Sequence, residues 1–160
     1  MIPPLLLSNL NQTFNNEKAI LPIGSTRAQI CLFDNFIDLR GELSVLEFSS
    51  PFPFNPKRIF YIYNVPLNQE RGHHAHVECH QFFIQVKGTC TLKFDDGNET
   101  HEIVLNTPKL GVYLPPLIWS YQYNFSPDSV LLVLASDFFL ESDYLRNYDD
   151  FLEHRKPSLS

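Results

Sequence analysis

Apolar positions recur at every second residue along most of this chain. In HQFFIQVKG (80–88), Phe82, Ile84 and Val86 alternate with Phe83, Gln85 and Lys87. After Gly88, Cys90, Leu92 and Phe94 alternate with Thr91 and Lys93. A period of two is that of a strand with two distinct faces. Asp96-Gly97 supplies a hairpin turn, and THEIVL (100–105) returns. QICLF (29–33), ELSVLEF (42–48), RIFYIYNV (58–65), VYLPP (112–116) and IWSYQYNF (118–125) read as further strands. SVLLVLAS (129–136) is nearly all apolar, as a strand buried on both faces would be. Turns are expected at 38–41 and 106–111, and loops at SSPFPFNP (49–56) and PLNQERG (66–72).

The period changes once. In LESDYLRNYDDFLEHR (140–155), Leu140, Tyr144, Leu145, Tyr148, Phe151 and Leu152 recur at a spacing of three to four. This predicts one amphipathic helix, capped by Ser142 and packed on the strands. Many short strands and one terminal helix predict an all-β sandwich of the jelly-roll type. Residues 1–27 are expected to be an N-terminal extension, 28–153 the domain and 154–160 a tail.

Composition narrows the functional classes. A net charge of -6 and a pI near 5.4 disfavour a general nucleic-acid binder, which needs a basic face. They leave room for a nucleotide ligand, since two or three local arginines can hold a diphosphate. Cys31, Cys79 and Cys90 form no CxxC pair, and their odd number suits reduced thiols in a cytoplasmic protein. Cys79 adjoins a histidine cluster, which leaves it open to a redox or ligand role. The apolar start MIPPLLL is too short to span a membrane.

The chemistry concentrates in RGHHAHVECHQ (71–81), which holds four of the six histidines. In a strand His74 and His76 share a face, with Cβ atoms about 6–7 Å apart. That spacing serves two nitrogens on one metal or two imidazoles flanking adjacent carbons. HxH, four residues, an acid, six residues and Gly is the first cupin motif; His74, His76 and Gly88 fit it, and Gln81 replaces the acid. At the second motif PPLIWS puts Ser120 where His is usual. Two of four metal ligands are therefore replaced by neutral, weak donors. Without a metal, two imidazoles make an acid–base device near neutral pH. His73, His101 and His154 read as solvated or structural; for His80 the reading is open.

KRIFYIYNVP (57–66), RGHHAH (71–76), GTCTLKFDDGN (88–98), PPLIW (115–119) and SPDSVLLVLASDFFLESDYLRNYDDF (126–151) occur in that order. Together they resemble the bacterial sugar-nucleotide 3,4-ketoisomerases, the WxcM-like family of cupins. The resemblance implies a cytoplasmic homodimer with no metal and no cofactor, acting on dTDP-4-keto-6-deoxy-D-glucose. It implies His74 as the base at C3, His76 as the partner that returns a proton, and Arg71 as the donor to the developing enediolate. Arg40, Arg58, Tyr61, Gln81, Tyr113 and Trp119 are the expected substrate-binding residues. Val77 and Ser120 depart from the basic residue and the His common at these positions. The rival readings are a metal-dependent cupin enzyme, a non-catalytic sugar-nucleotide-binding cupin, and a 3,5-epimerase, whose chemistry pairs His with Tyr.

Overall fold

The computed structural model describes residues 20–49 and 52–156. Thirteen strands run through it: β1 (Ile20–Pro22), β2 (Gln29–Leu32), β3 (Asp34–Asp38), β4 (Gly41–Val45), β5 (Arg58–Tyr63), β6 (Arg71–His76), β7 (Gln81–Lys87), β8 (Cys90–Asp95), β9 (Thr100–Leu105), β10 (Leu110–Leu114), β11 (Trp119–Tyr123), β12 (Val130–Ala135) and β13 (Tyr144–Leu145). A 3-10 turn at Glu141–Asp143 precedes β13, and helix α1 spans Tyr148–Arg155. A six-stranded sheet, β1-β2-β10-β7-β12-β5, faces a five-stranded one, β13-β6-β11-β8-β9, and all the pairings are antiparallel. This is the jelly roll that the strand pattern predicts.

Alternation fills the space between the sheets. Phe83, Val112, Leu131 and Val133 come from one sheet, and Leu92, Phe94, Ile103 and Leu105 from the other. Burying each such side chain contributes roughly 1.5–3 kcal/mol before entropy is counted. The opposite parity is used as well. Phe82, Tyr113 and Leu134 face outward from the six-stranded sheet, under Phe52 and Phe54. Ala75 and Trp119 face outward from the five-stranded sheet, under Phe151 of α1.

Two elements depart from expectation, at residues 34–38 and 140–147. DNFID becomes β3, which pairs with β4 in a separate hairpin. The extension expected over 1–27 lies outside the described residues up to residue 19; Ile20–Pro22 pairs with β2, and Ile23 is fully buried. The helix expected over 140–155 forms only in its second half. Asn147, not Ser142, caps it, accepting from the amides of Asp149 and Asp150. Its first half instead forms a strand edge, because Tyr144 and Leu145 pair with His76 and Ala75 and extend the sheet.

Candidate active site

A cavity of about 520 Å³ opens between β5 of one sheet and β6 and β11 of the other. Arg71, His74, Gln81, Ser120, Gln122 and Tyr61 are among its lining residues. Parity explains most of this set. Ser120 pairs with His74 across the strands, and Gln122 follows two residues later on the same face. Arg71 is three residues before His74, so strict alternation would turn it away. The register between β6 and β11 slips by one residue here, because Tyr121 pairs with Gly72 while Ser120 pairs with His74. His73 is the extra residue of this bulge, with φ of 57°, and Gly72 beside it has φ of 103°. The bulge restores Arg71 to the cavity face. A Cβ at Gly72 would lie 2.8 Å from the Ser120 carbonyl oxygen, so only glycine fits without a shift. His73 itself stacks on Tyr121 outside, with ring centroids 4.3 Å apart, and meets Glu70 at 2.6 Å.

The two imidazoles meet as expected. Their centroids are 5.0 Å apart and their planes nearly perpendicular, at 84°. Tyr144 covers both, 4.9 Å from His74 and 4.3 Å from His76. His76 is 4% exposed, and its Nδ1 lies 2.7 Å from Asp143 Oδ2. Asp143 is itself held by the β6–β7 loop: its Oδ1 accepts from the Glu78 amide and its carbonyl from Val77. Among the described residues, His74 Nδ1, His76 Nε2 and Arg58 Nε find no hydrogen-bond partner. Buried polar atoms of this kind are costly in a core and expected where a substrate completes them.

Burial sets the protonation of the pair. It pushes His74 down to about 4, opposed in part by the Gly72 backbone and reinforced by His76 and Arg146. It also lowers His76, but the Asp143 carboxylate works against that burial. Both rings are therefore neutral at pH 7, and His76 alone has a carboxylate behind it to stabilise a proton.

The predicted site residues divide by face. His74, Arg71, Gln81 and Tyr61 line the cavity, and His76 adjoins His74. Arg58, at the start of β5, lies over Phe60 and Phe139 at 5.5 and 5.8 Å, and its charge acts on His76. Tyr113 lies on the outer face of the six-stranded sheet, its hydroxyl 2.6 Å from His80 Nδ1. Trp119 lies beneath α1, against Phe151. Arg40 is exposed at the β3–β4 turn and paired with Asp38. Within one chain these three do not line the cavity. Asp143, Tyr144 and Gln122 are the additions. Gln122 was legible from its parity with Ser120. Asp143 and Tyr144 were not, because their stretch carried helical spacing.

Two donor sets bear on metals. The usual cupin position here offers two imidazoles, the Gln81 amide and the Ser120 hydroxyl, with no anionic ligand. A second set shares His76: donor atoms of His76, Cys79 and Asp143 lie within 4.8 Å of one another.

Known proteins share this fold and much of this sequence. A TDP-4-oxo-6-deoxy-alpha-D-glucose-3,4-oxoisomerase of Aneurinibacillus thermoaerophilus is 40% identical over 122 residues, covering 76% of this chain and 88% of the relative. The crystal structure of a 3,4-ketoisomerase from Helicobacter canadensis is 41% identical, with a TM-score of 0.77 over 81% of this chain and 98% of the other. A histidine-to-asparagine variant of a Thermoanaerobacterium thermosaccharolyticum 3,4-ketoisomerase, solved in complex with TDP-4-keto-6-deoxyglucose, is 34% identical, with a TM-score of 0.79 over 86% and 100%. The family described as FdtA: WxcM-like, C-terminal, matches residues 26–156, and the chain belongs to it.

Proposed function

We propose that this chain is a sugar-nucleotide 3,4-ketoisomerase converting dTDP-4-keto-6-deoxy-D-glucose to a dTDP-3-keto-6-deoxyhexose. The observation that carries this reading is the pair of neutral imidazoles, His74 lining the cavity and His76 against it, each with an unpartnered nitrogen, in a chain about 40% identical to a named oxoisomerase.

The 4-keto group acidifies the C3 hydrogen. His74, which lines the cavity, takes that proton and leaves an enediolate across C3 and C4. Arg71 donates to the charge that develops on oxygen. C4 and O4 each gain a proton, O3 gives one up, and the ketone stands at C3. His76 carries the returning proton, with Asp143 stabilising the imidazolium that forms briefly. A neutral ring is what proton abstraction requires, and burial keeps both rings neutral. Gln81, Ser120, Gln122 and Tyr61 hold the sugar, and Arg58 completes its Nε on the substrate. The neutral donors at the cupin position favour proton transfer unaided by a metal.

The enzyme acts in the cytoplasm as a homodimer. Among the described residues no helix is long and apolar enough to cross a membrane. Support for the dimer comes from the β3–β4 hairpin, where Phe36, Ile37, Leu39 and Leu43 are exposed. Arg40, at its tip, reaches a substrate only across such an assembly.

The test is turnover of dTDP-4-keto-6-deoxy-D-glucose by chelator-treated protein, followed by proton magnetic resonance. A 3-keto product formed at an undiminished rate is expected. Binding without turnover, or activity that returns only with added metal, would overturn the reading.

A further inference from the structure

The β6–β7 loop brings Cys79 to the far side of the acid–base pair. Cys79 is 3% exposed, donates weakly to the His80 carbonyl at 3.4 Å and lies 3.8 Å from Ser136 Oγ. None of these contacts is strong enough to fix a thiol. Its sulfur and donor atoms of His76 and Asp143 lie within 4.8 Å of one another. The loop is pinned, since Val77 and Glu78 both donate to Asp143. A second cavity, of about 320 Å³, reaches two of the three, Cys79 and Asp143. Glu78, Cys79, Asp137 and Asp143 are among its lining, and it shares no lining residue with the sugar cavity. Thiolate, imidazole and carboxylate gathered this closely, beside two further carboxylates, are the ligand set of a borderline-soft divalent ion.

We propose that His76, Cys79 and Asp143 form an inhibitory site for a thiophilic divalent cation, zinc being the type case. The site itself stands on geometry; its inhibitory effect rests on the ketoisomerase reading above. Binding releases the Cys79 thiol proton to solvent. His76 Nδ1 becomes a ligand, and its ring proton moves to Nε2. Three protein ligands leave one position for water. A ring whose Nδ1 holds a metal keeps its Nε2 proton and no longer accepts one from the substrate side. Asp143 is likewise taken from its role behind His76. The two other thiols do not compete: burial pushes Cys31 up to about 11 and Cys90 up to about 12.

The full chain, stripped with chelator, is titrated with cobalt(II) and separately assayed with added zinc chloride. The expected result is a thiolate-to-cobalt charge-transfer band that saturates at one ion per chain. Turnover should fall over the same range in which zinc displaces cobalt. Cys79→Ser should lose the band, keep the wild-type turnover, and need more than about 100-fold more zinc for half inhibition, since even the loss of an outer-shell partner costs about 10- to 100-fold. Absence of the band in wild type, its persistence in Cys79→Ser, or equal zinc sensitivity of the two proteins would overturn the site. A band without zinc inhibition would overturn the inhibitory role. Were the chain inactive on the sugar nucleotide, the functional reading would fail, and the cobalt band would still decide the site.

Discussion

The two halves of the sandwich interior obey one parity rule and end in opposite chemistry. Toward β8 and β9 the inward positions are Leu92, Phe94, Ile103 and Leu105, and the space is closed. Toward β6 and β11 the inward positions are His74, Ser120 and Gln122, and the space is a cavity. The site is therefore no added feature of the fold. It is the same barrel lining with side chains too polar to close on one another, next to a half that closes completely and holds the walls.

Exchanging the character of each half tests that division. The largest effect is expected from His74→Asn and His76→Asn, each cutting turnover by about 10² to 10⁴ while leaving the denaturation midpoint nearly unchanged. Steady-state kinetics and urea unfolding on the same preparations check both parts. Next comes Phe94→Ala in the closed half, fully buried in the native chain. It should cost about 3–5 kcal/mol of stability in urea unfolding, through a cavity that neighbours cannot fill. Catalysis at temperatures where it stays folded should survive. A smaller effect, about 10² in kcat, is expected for Asp143→Asn, which keeps a hydrogen-bonding partner but not the charge.

That last variant also has a pH signature. Asp143 opposes the burial that lowers His76. Removing its charge lowers His76 further, so the acid limb of the kcat/KM profile should move to lower pH. An unmoved limb would mean that Asp143 is structural only.

Parity made much of this legible from the sequence. The i, i+2 spacing placed His74 and His76 together, and the strand-like runs located the cores of nine strands. The same rule also marks Tyr113 and Trp119 as outward, since Val112 and Leu114 flank the first and Ser120 follows the second on the inward face. What stayed hidden depended on exceptions to the period. Arg71 reaches the cavity only through the bulge at Gly72 and His73, and no local pattern announces an extra residue in a strand. Asp143 was masked because Leu140, Tyr144 and Leu145 fit a helix as well as an edge strand. The free edge of β6 decided between them, a pairing some 70 residues away in sequence.

The division of labour between the imidazoles is tested most directly by hydrogen exchange in heavy water with the two histidine variants. His76→Asn should return substrate carrying deuterium at C3 without forming the 3-ketone, because His74 still removes that hydrogen. His74→Asn should return substrate without deuterium at C3. Exchange at C3 that persists in His74→Asn and vanishes in His76→Asn would contradict the account.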